Sequence, residues 1–427
     1  MSLFKRTGSL RAILLKTAAL AALLAASQAQ AVPSFARQTG MDCAGCHIGG
    51  FGPQLTPAGI RFKLGGYTDS DGQDGKLPLS GMVVASWTKT KTDNPEPEAG
   101  LKANNNLKMD EASVFLAGRL TEHMGAFVQA TYDGVGKKIA LDQTDLRYSR
   151  TVELGGKETI VGLSLNNNPG VQDPFNTMPV WSFPYATSPA GSGSGGAASL
   201  INGGLEGRVL GTSAYGFFDN AYYAELGSYR SMSPAAQTHL GLGSDQQKLG
   251  GNAYWRLGWL KDQKSQAFQL GLFGWNAKLQ ADLADPASSQ YRDLGIDGSY
   301  QFLGTREHVA TINGSYLNER KTDGASGDAS RLHEARLNAT YHYQQTWGGG
   351  AGLFSTQGSD PLAKTNGYLL QADWTPWGKE NASAPAPFSA ANLRLGAQYW
   401  IYNKLNGASG SDARDRNTLF LFAWTSF

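Results

Sequence analysis

The chain is poor in cysteine, in charge and in long apolar runs. Among 427 residues there are two cysteines and six histidines, too few for a disulfide scaffold or a multi-thiolate metal cluster. Charged residues make up 17%, against about 25% in an ordinary soluble domain. No apolar stretch reaches the roughly 20 residues that a membrane-spanning helix needs, and mean hydropathy is −0.33; a helical membrane protein is excluded. Basic and acidic residues nearly balance, 37 against 35, so nothing marks a nucleic-acid-binding surface. No Ser-His-Asp set, zinc motif or phosphate-binding glycine loop is recoverable. The 54 glycines fall in alternating segments and turns, without the strand-loop-helix setting that a phosphate loop requires.

What is present is concentrated. Both cysteines lie in Cys43-Ala44-Gly45-Cys46-His47, the spacing at which two thiols add across the vinyl groups of a porphyrin and the adjacent imidazole lies under the ring as proximal iron ligand. A thioredoxin-like redox pair would need a βαβ setting, and a structural zinc site would need four ligands; neither is found. The motif comes after a stretch with the three parts of a secretory leader. Lys5, Arg6, Arg11 and Lys16 are basic, Ala18 to Ala26 is apolar, and Ala29-Gln30-Ala31 supplies small residues for cleavage before Val32. The expected division is residues 1–31 as signal peptide, 32–79 as a haem-bearing segment and linker, and 80–427 as a β domain. Without the four basic residues of the leader, 33 of the 37 basic side chains remain against 35 acidic ones. The middle segment is too small to bury a core alone and must lean on its cofactor and on the β domain C-terminal to it.

From residue 80 onward the pattern has period two. Ala112, Val114 and Leu116 alternate with Glu111 and Ser113; Leu337, Ala339, Tyr341 and Tyr343 with Asn338, Thr340 and His342; Leu393, Leu395, Ala397, Tyr399 and Ile401 with Arg394 and Gln398. About sixteen strands are expected, beginning near residues 80, 108, 122, 138, 156, 203, 218, 248, 265, 290, 306, 331, 347, 364, 387 and 415. Links from odd to even strands include the long stretches 92–107, 168–202, 232–247 and 403–414. Links from even to odd strands are mostly very short. Long loops on one side and tight turns on the other are the signature of an outer-membrane barrel, and a soluble sandwich has no reason to alternate so. The short link at Gly134 to Lys137 and the long one at Gly378 to Pro387 break the rule. The chain ends in an apolar strand closing on Phe427, as bacterial outer-membrane barrels do.

Phe35-Ala36-Arg37-Gln38-Thr39-Gly40-Met41 leads into the haem motif, and Pro53-Gln54-Leu55-Thr56-Pro57-Ala58-Gly59, Arg61-Phe62-Lys63-Leu64 and Gly66-Tyr67 come after it. Together with Asp173-Pro174-Phe175-Asn176-Thr177 in the long loop after strand five, these segments resemble the fused outer-membrane cytochrome-porins, whose best-known members oxidise extracellular ferrous iron. The resemblance implies an all-β, 16-stranded outer-membrane barrel of a Gram-negative bacterium, with an N-terminal haem c plug inside it near the periplasmic side. It further implies one covalent haem c, an extracellular donor such as Fe(II), a periplasmic c-type cytochrome as acceptor, and Fe(II):cytochrome c oxidoreductase activity. Rival expectations are a haem-plugged diffusion porin, a conduit with another donor or outward flow, and a soluble periplasmic β protein.

Cys43 and Cys46 are the expected thioether residues and His47 the proximal ligand. For the sixth ligand, strand parity puts Met82 on a lumenal face with Ser86, Thr88 and Thr90, at the start of strand one. Met109 shares the Glu111 and Ser113 face; His123 and His342 also point inward, whereas Met124 and His308 face lipid. Met178 lies in the long loop. Met82 is favoured, and Met41 is too near Cys43 to reach over the ring. The loop Asn166 to Ser199 is long enough to constrict the pore, with Trp181 and Tyr185 placed to exclude water, and its Gly191 to Gly196 tail reads as a free surface loop. Asp93, Glu96 and Glu98 in the first outer loop are candidates for attracting ferrous ions.

Overall fold

The computed structural model describes residues 32–73, 75–170, 173–178, 182–205, 207–243, 246–379 and 391–427. Sixteen strands form one antiparallel sheet: β1 Leu79–Thr90, β2 Asn106–Arg119, β3 Met124–Asp133, β4 Lys138–Leu154, β5 Lys157–Asn166, β6 Val209–Phe218, β7 Tyr222–Ser231, β8 Lys248–Asp262, β9 Gln266–Gln280, β10 Ser289–Phe302, β11 His308–Thr322, β12 Ala329–Tyr343, β13 Trp347–Gly358, β14 Thr365–Trp374, β15 Asn392–Leu405 and β16 Thr418–Ser426. A two-residue pairing, Ala408–Ser409, prolongs the β15 edge. Each strand pairs with its chain neighbour, and β1 closes the ring against β16, with Met82 opposite Ser426 and Thr90 opposite Thr418. Closure leaves no sheet edge, so every strand can pair its backbone where no water reaches.

The period-two pattern now has a physical meaning. Leu163, Leu226, Leu257, Leu270, Leu294 and Leu337 are exposed on the outside of the barrel; they form the band that a hydrocarbon core solvates. Tyr222, Trp259, Phe302, Tyr343 and Trp347 are exposed at or near the strand ends joined by tight turns, and the exposed Trp374 ring stacks on Trp347 at 5.6 Å. This is the aromatic girdle of a membrane interface, on the side where short turns mark the periplasm. Gln129, Ser164, Gln269, Thr340 and Gln398 are buried inside. Met109 departs from the expected parity. The register of β1 on β2 jumps from Val84 opposite Glu111 to Ala85 opposite Met109; this bulge at Asp110 turns Met109 outward, where it is exposed.

The N-terminal segment enters the lumen instead of forming a separate domain. Helix α1, Pro33–Thr39, starts on a proline and ends at Gly40, whose φ of 68° lets its N–H close on Ala36 O. A single turn, α2, Cys43–Cys46, carries both cysteines. Helix α3, Pro57–Leu64, is capped by Thr56, whose hydroxyl accepts from Gly59 N. Inner-wall side chains hold the segment from all around the barrel. Ser80 Oγ accepts from Ser34 N, Gln345 Oε1 from Gly49 N at 2.6 Å, and Gln301 Nε2 donates to Leu55 O at 2.8 Å. Tyr215 donates to Leu64 O at 2.7 Å, and Arg394 Nη1 to Phe51 O at 3.3 Å. Gly49, at φ 75°, lies so close to the His342 ring that a β-carbon would sit 2.6 Å from Nε2. Most of these contacts fall toward the periplasmic ends of their strands.

A charge on the outer surface is the direct test of the lipid-facing assignment. Leu337→Arg, midway along β12, is expected to cost about 2–4 kcal/mol in urea unfolding from lipid vesicles, whereas Leu337→Ile leaves the midpoint unchanged; an equally mild Arg variant contradicts the assignment.

Candidate functional site

Cys43, Cys46 and His47 line one cavity of about 410 Å³ inside the barrel, a size ordinary for a cofactor pocket. The cysteines stand three residues apart on one helical turn, the spacing that puts two side chains on one face. The turn is fixed by His47 N donating to Cys43 O at 2.8 Å and Thr56 N to Cys46 O at 2.9 Å. Arg306 donates to Ala44 O, and Asn392 Nδ2 points at Cys43 Sγ at 3.4 Å. Phe35, Phe51, Phe62, Phe115, Phe127 and Trp424 belong to its lining, with Phe51 edge-on to Trp424 at 4.8 Å.

Burial sets the charge state of the chemistry-bearing groups. It pushes the Cys43 thiol far above its ordinary value and the Cys46 thiol up to about 11, Arg306 opposing the second. It holds the His47 imidazole down at about 4, the Gly52 and Gln54 backbone opposing. At neutral pH the site therefore presents two neutral thiols and a neutral imidazole, which keeps a nitrogen lone pair free to bind a metal. His47 Nδ1 is buried with no hydrogen bond. Among the described residues no group of three or more His, Cys, Asp and Glu gathers to hold a bare metal ion. The donor set suits a flat apolar macrocycle carrying its own metal.

Met82 lines the same cavity, as expected from its parity; Met41 does so too, folded back against Gly45. Met178 is fully buried against Leu200 and Ile201, in a separate apolar cluster. His342 is buried beneath Gly49, 4.0 Å from Asp373. His123 lies in the turn before β3, outside the cavity lining. In the first outer loop Asp93, Glu96 and Glu98 are exposed, Asp93 accepting from Asn104. Trp181 lies outside the described residues. Tyr185 lines the cavity and donates to Gln54 Oε1 at 2.7 Å.

The long β5–β6 connection folds inward onto this site. Lys63 of α3 donates to Asp173 O at 2.7 Å and to Asn176 Oδ1 at 2.9 Å, and Asn176 Nδ2 donates to Pro53 O. Asp173 also meets Arg256 of β8 at 3.1 Å, and Arg256 meets Asp297 of β10 at 2.6 Å, all fully buried. The Asp173 to Thr177 motif is thus the joint between wall, loop and N-terminal segment. Higher in the loop, Glu334, Glu319 and Asp293 on three successive strands accept from the backbone N–H of Ser199, Leu200 and Ile201. The Gly191 to Gly196 tail is not a free surface loop: Gly193 O accepts from Tyr402 and Gly196 N donates to Asn406. Period-two reading finds that these wall residues face inward, but it carries no signal for their partners on a distant loop.

No protein-family model matches the chain, and no curated protein matches it. Among solved structures it is similar to OmpF of Salmonella typhi in complex with daunomycin, at 10% identity over 82% of this chain and 97% of that one, TM-score 0.48. It is also similar to an anion-selective porin from Comamonas acidovorans, at 11% identity over 82% and 98%, TM-score 0.46. A third is the outer-membrane channel DcaP of Acinetobacter baumannii, at 11% over 82% and 96%, TM-score 0.45. The chain itself is a closed barrel of sixteen antiparallel strands. At such low identity the likeness concerns the fold alone.

Arg256→Met strips the cation from two buried carboxylates and is expected to cost roughly 3–5 kcal/mol. Limited proteolysis of the folded barrel should then cut the β5–β6 loop faster, with Arg256→Lys intermediate; an unchanged cleavage rate contradicts the joint.

Proposed function

We propose that this barrel is an electron-transfer protein of the outer membrane. Cys43 and Cys46 would hold one haem c covalently, His47 and Met82 would supply an imidazole nitrogen and a thioether to its iron, and electrons would pass from an extracellular donor to a periplasmic c-type cytochrome. The observation that carries this reading is the opening of both thiols and the adjacent imidazole into one apolar cavity inside a closed barrel. Ferrous iron is the donor that the sequence resemblance implies.

When bound, the haem supplies a one-electron ferric/ferrous couple. The chain's own residues set the conditions for it. Neutral thiols in an apolar lining are the form that adds to vinyl carbons. Neutral His47 offers the lone pair for iron, and a thioether from Met82 would hold the potential high, as acceptance of electrons from a mild donor requires. Phe35, Phe51, Phe62, Phe115 and Phe127 make the cavity wall apolar and would exclude water from a bound group, while Asp42 and Lys63 add polar residues to the lining. The Lys63 amine, lowered by burial to about 7 with Arg147 adding to the effect, leans on Asp173 and Asn176. The position of the N-terminal segment toward the periplasmic strand ends suits delivery to a periplasmic partner.

A second reading, a diffusion porin with its N-terminal segment as a structural plug, is favoured by the polar inner wall of a closed sixteen-stranded barrel. Two measurements separate them. Stopped-flow mixing of the haem-loaded protein with ferrous iron should reduce the haem rapidly; no reduction, together with fast solute flux into liposomes, overturns the electron-transfer reading in favour of the porin. Met82→Ala should shift the visible haem spectrum and lower the reduction potential, and an unchanged spectrum removes Met82 from the iron.

A further inference from the structure

The lumen of a barrel pore is ordinarily polar, yet buried apolar clusters fill parts of this one, and one of them lies on β13 and β15. Phe354 of β13 and Trp400 and Tyr402 of β15 all face inward and are buried, at 8%, 5% and 0% exposure. Phe183 of the inward-folded loop packs into the same cluster. Its ring meets Tyr185 edge-on at 5.8 Å, and Tyr185 lines the cavity that holds Cys43, Cys46 and His47. The Phe183 ring lies over Gly350 and Gly352 of β13, in the same buried cluster as three rings in mutual contact: Phe354 to Trp400 at 5.3 Å, Phe354 to Tyr402 at 6.0 Å and Trp400 to Tyr402 at 6.5 Å. These are ordinary spacings of packed aromatic pairs. Both strands run outward from their periplasmic ends, so the seam climbs away from the cavity. At its upper end Tyr402 N donates to Asn417 Oδ1 at 2.9 Å, on the outer loop that joins β15 to β16.

We propose that Tyr185, Phe183, Phe354, Trp400 and Tyr402 form an aromatic seam that conducts electrons from the outer mouth of the barrel to the haem cavity. The proposal rests on the electron-transfer reading above and names the route that it needs. The cavity lies toward the periplasmic end, so an external donor is separated from it by much of the barrel height. Electronic coupling falls steeply across a gap and less steeply through atoms in van der Waals contact, and the seam provides such contact through two groups of touching rings joined by the packing of Phe183 on β13. The polar joints at Arg256 and at Glu334, Glu319 and Asp293 already dock the loop, so docking alone does not require five aromatic side chains packed together. Each transfer moves one electron: a ferrous ion at the outer mouth becomes ferric, and the ferric haem iron becomes ferrous. No bond forms or breaks, and no proton is needed. The rings are harder to oxidise than the donor and serve as the medium, ending as they began.

The test uses the haem-loaded full-length barrel in liposomes and compares wild type with Trp400→Phe, Trp400→Leu and Phe354→Leu. Haem spectrum and potential should be the same in all four, since none of the substituted residues lines the cavity. Reduction by ferrous iron added outside should slow several-fold in both leucine variants and stay near wild type in Trp400→Phe, while reduction by a small membrane-permeant reductant stays constant. Equal rates with ferrous iron in all four overturn the seam. Failure of ferrous iron to reduce the wild type overturns the electron-transfer reading itself, and a changed spectrum in the leucine variants assigns these rings to packing and overturns conduction.

Discussion

A strand in lipid has no water to pair its backbone, so the sheet must close on itself, and closure decides everything else in this chain. Closing sixteen strands creates an outer face that must be apolar and an inner space that must be filled or wet. Alternation along each strand answers both demands at once. Leu337 faces hydrocarbon while Asn338 and Thr340 face inward, and the inner residues then serve as a scaffold. The N-terminal segment, too small to hold a core of its own, borrows that scaffold.

Among the described residues the inner wall carries three buried arginines, and each is completed by something that is not wall. Asp145, paired with Arg147 at 2.8 Å, accepts from Tyr67 of the N-terminal segment. Arg256 needs Asp173 of the long loop as well as Asp297. Arg394, held by Asp373 at 2.8 Å, reaches Phe51 O. A buried charge left without its full complement is expensive, so wall, loop and inserted segment interlock as one unit. That unit presses α2 against the wall with both cysteines turned into an apolar cavity, a position that a soluble fifty-residue segment has no means to hold.

Much of this was legible beforehand, because membrane barrels obey a simple period. Twelve strand starts, among them Leu79, Lys138, Lys248 and Trp347, fall within two residues of the expected positions, and the long and short connections alternate as read. The errors have local causes. A bulge at Asp110 reversed the parity of Met109, and a glycine-rich tail that looked free is pinned by Tyr402 and Asn406. The sixth strand begins at Val209, later than expected, because the segment before it turns inward to reach Glu334, Glu319 and Asp293. The cavity itself was half legible. The Cys-X-X-Cys-His spacing named three of its residues, and parity put Met82 beside them. Asn392 against Cys43, Arg306 against Ala44 and the aromatic lining from β2, β3 and β16 depend on how the segment is rotated within the lumen, which no local pattern encodes.

The central claim is that this barrel carries a haem bonded to Cys43 and Cys46. The intact mass of the folded, processed protein, produced in a host that attaches c-type haem, tests it most directly. The account predicts the polypeptide mass plus one haem, retained after denaturation and absent when both cysteines are replaced by alanine. A folded barrel with the mass of the bare polypeptide would contradict it.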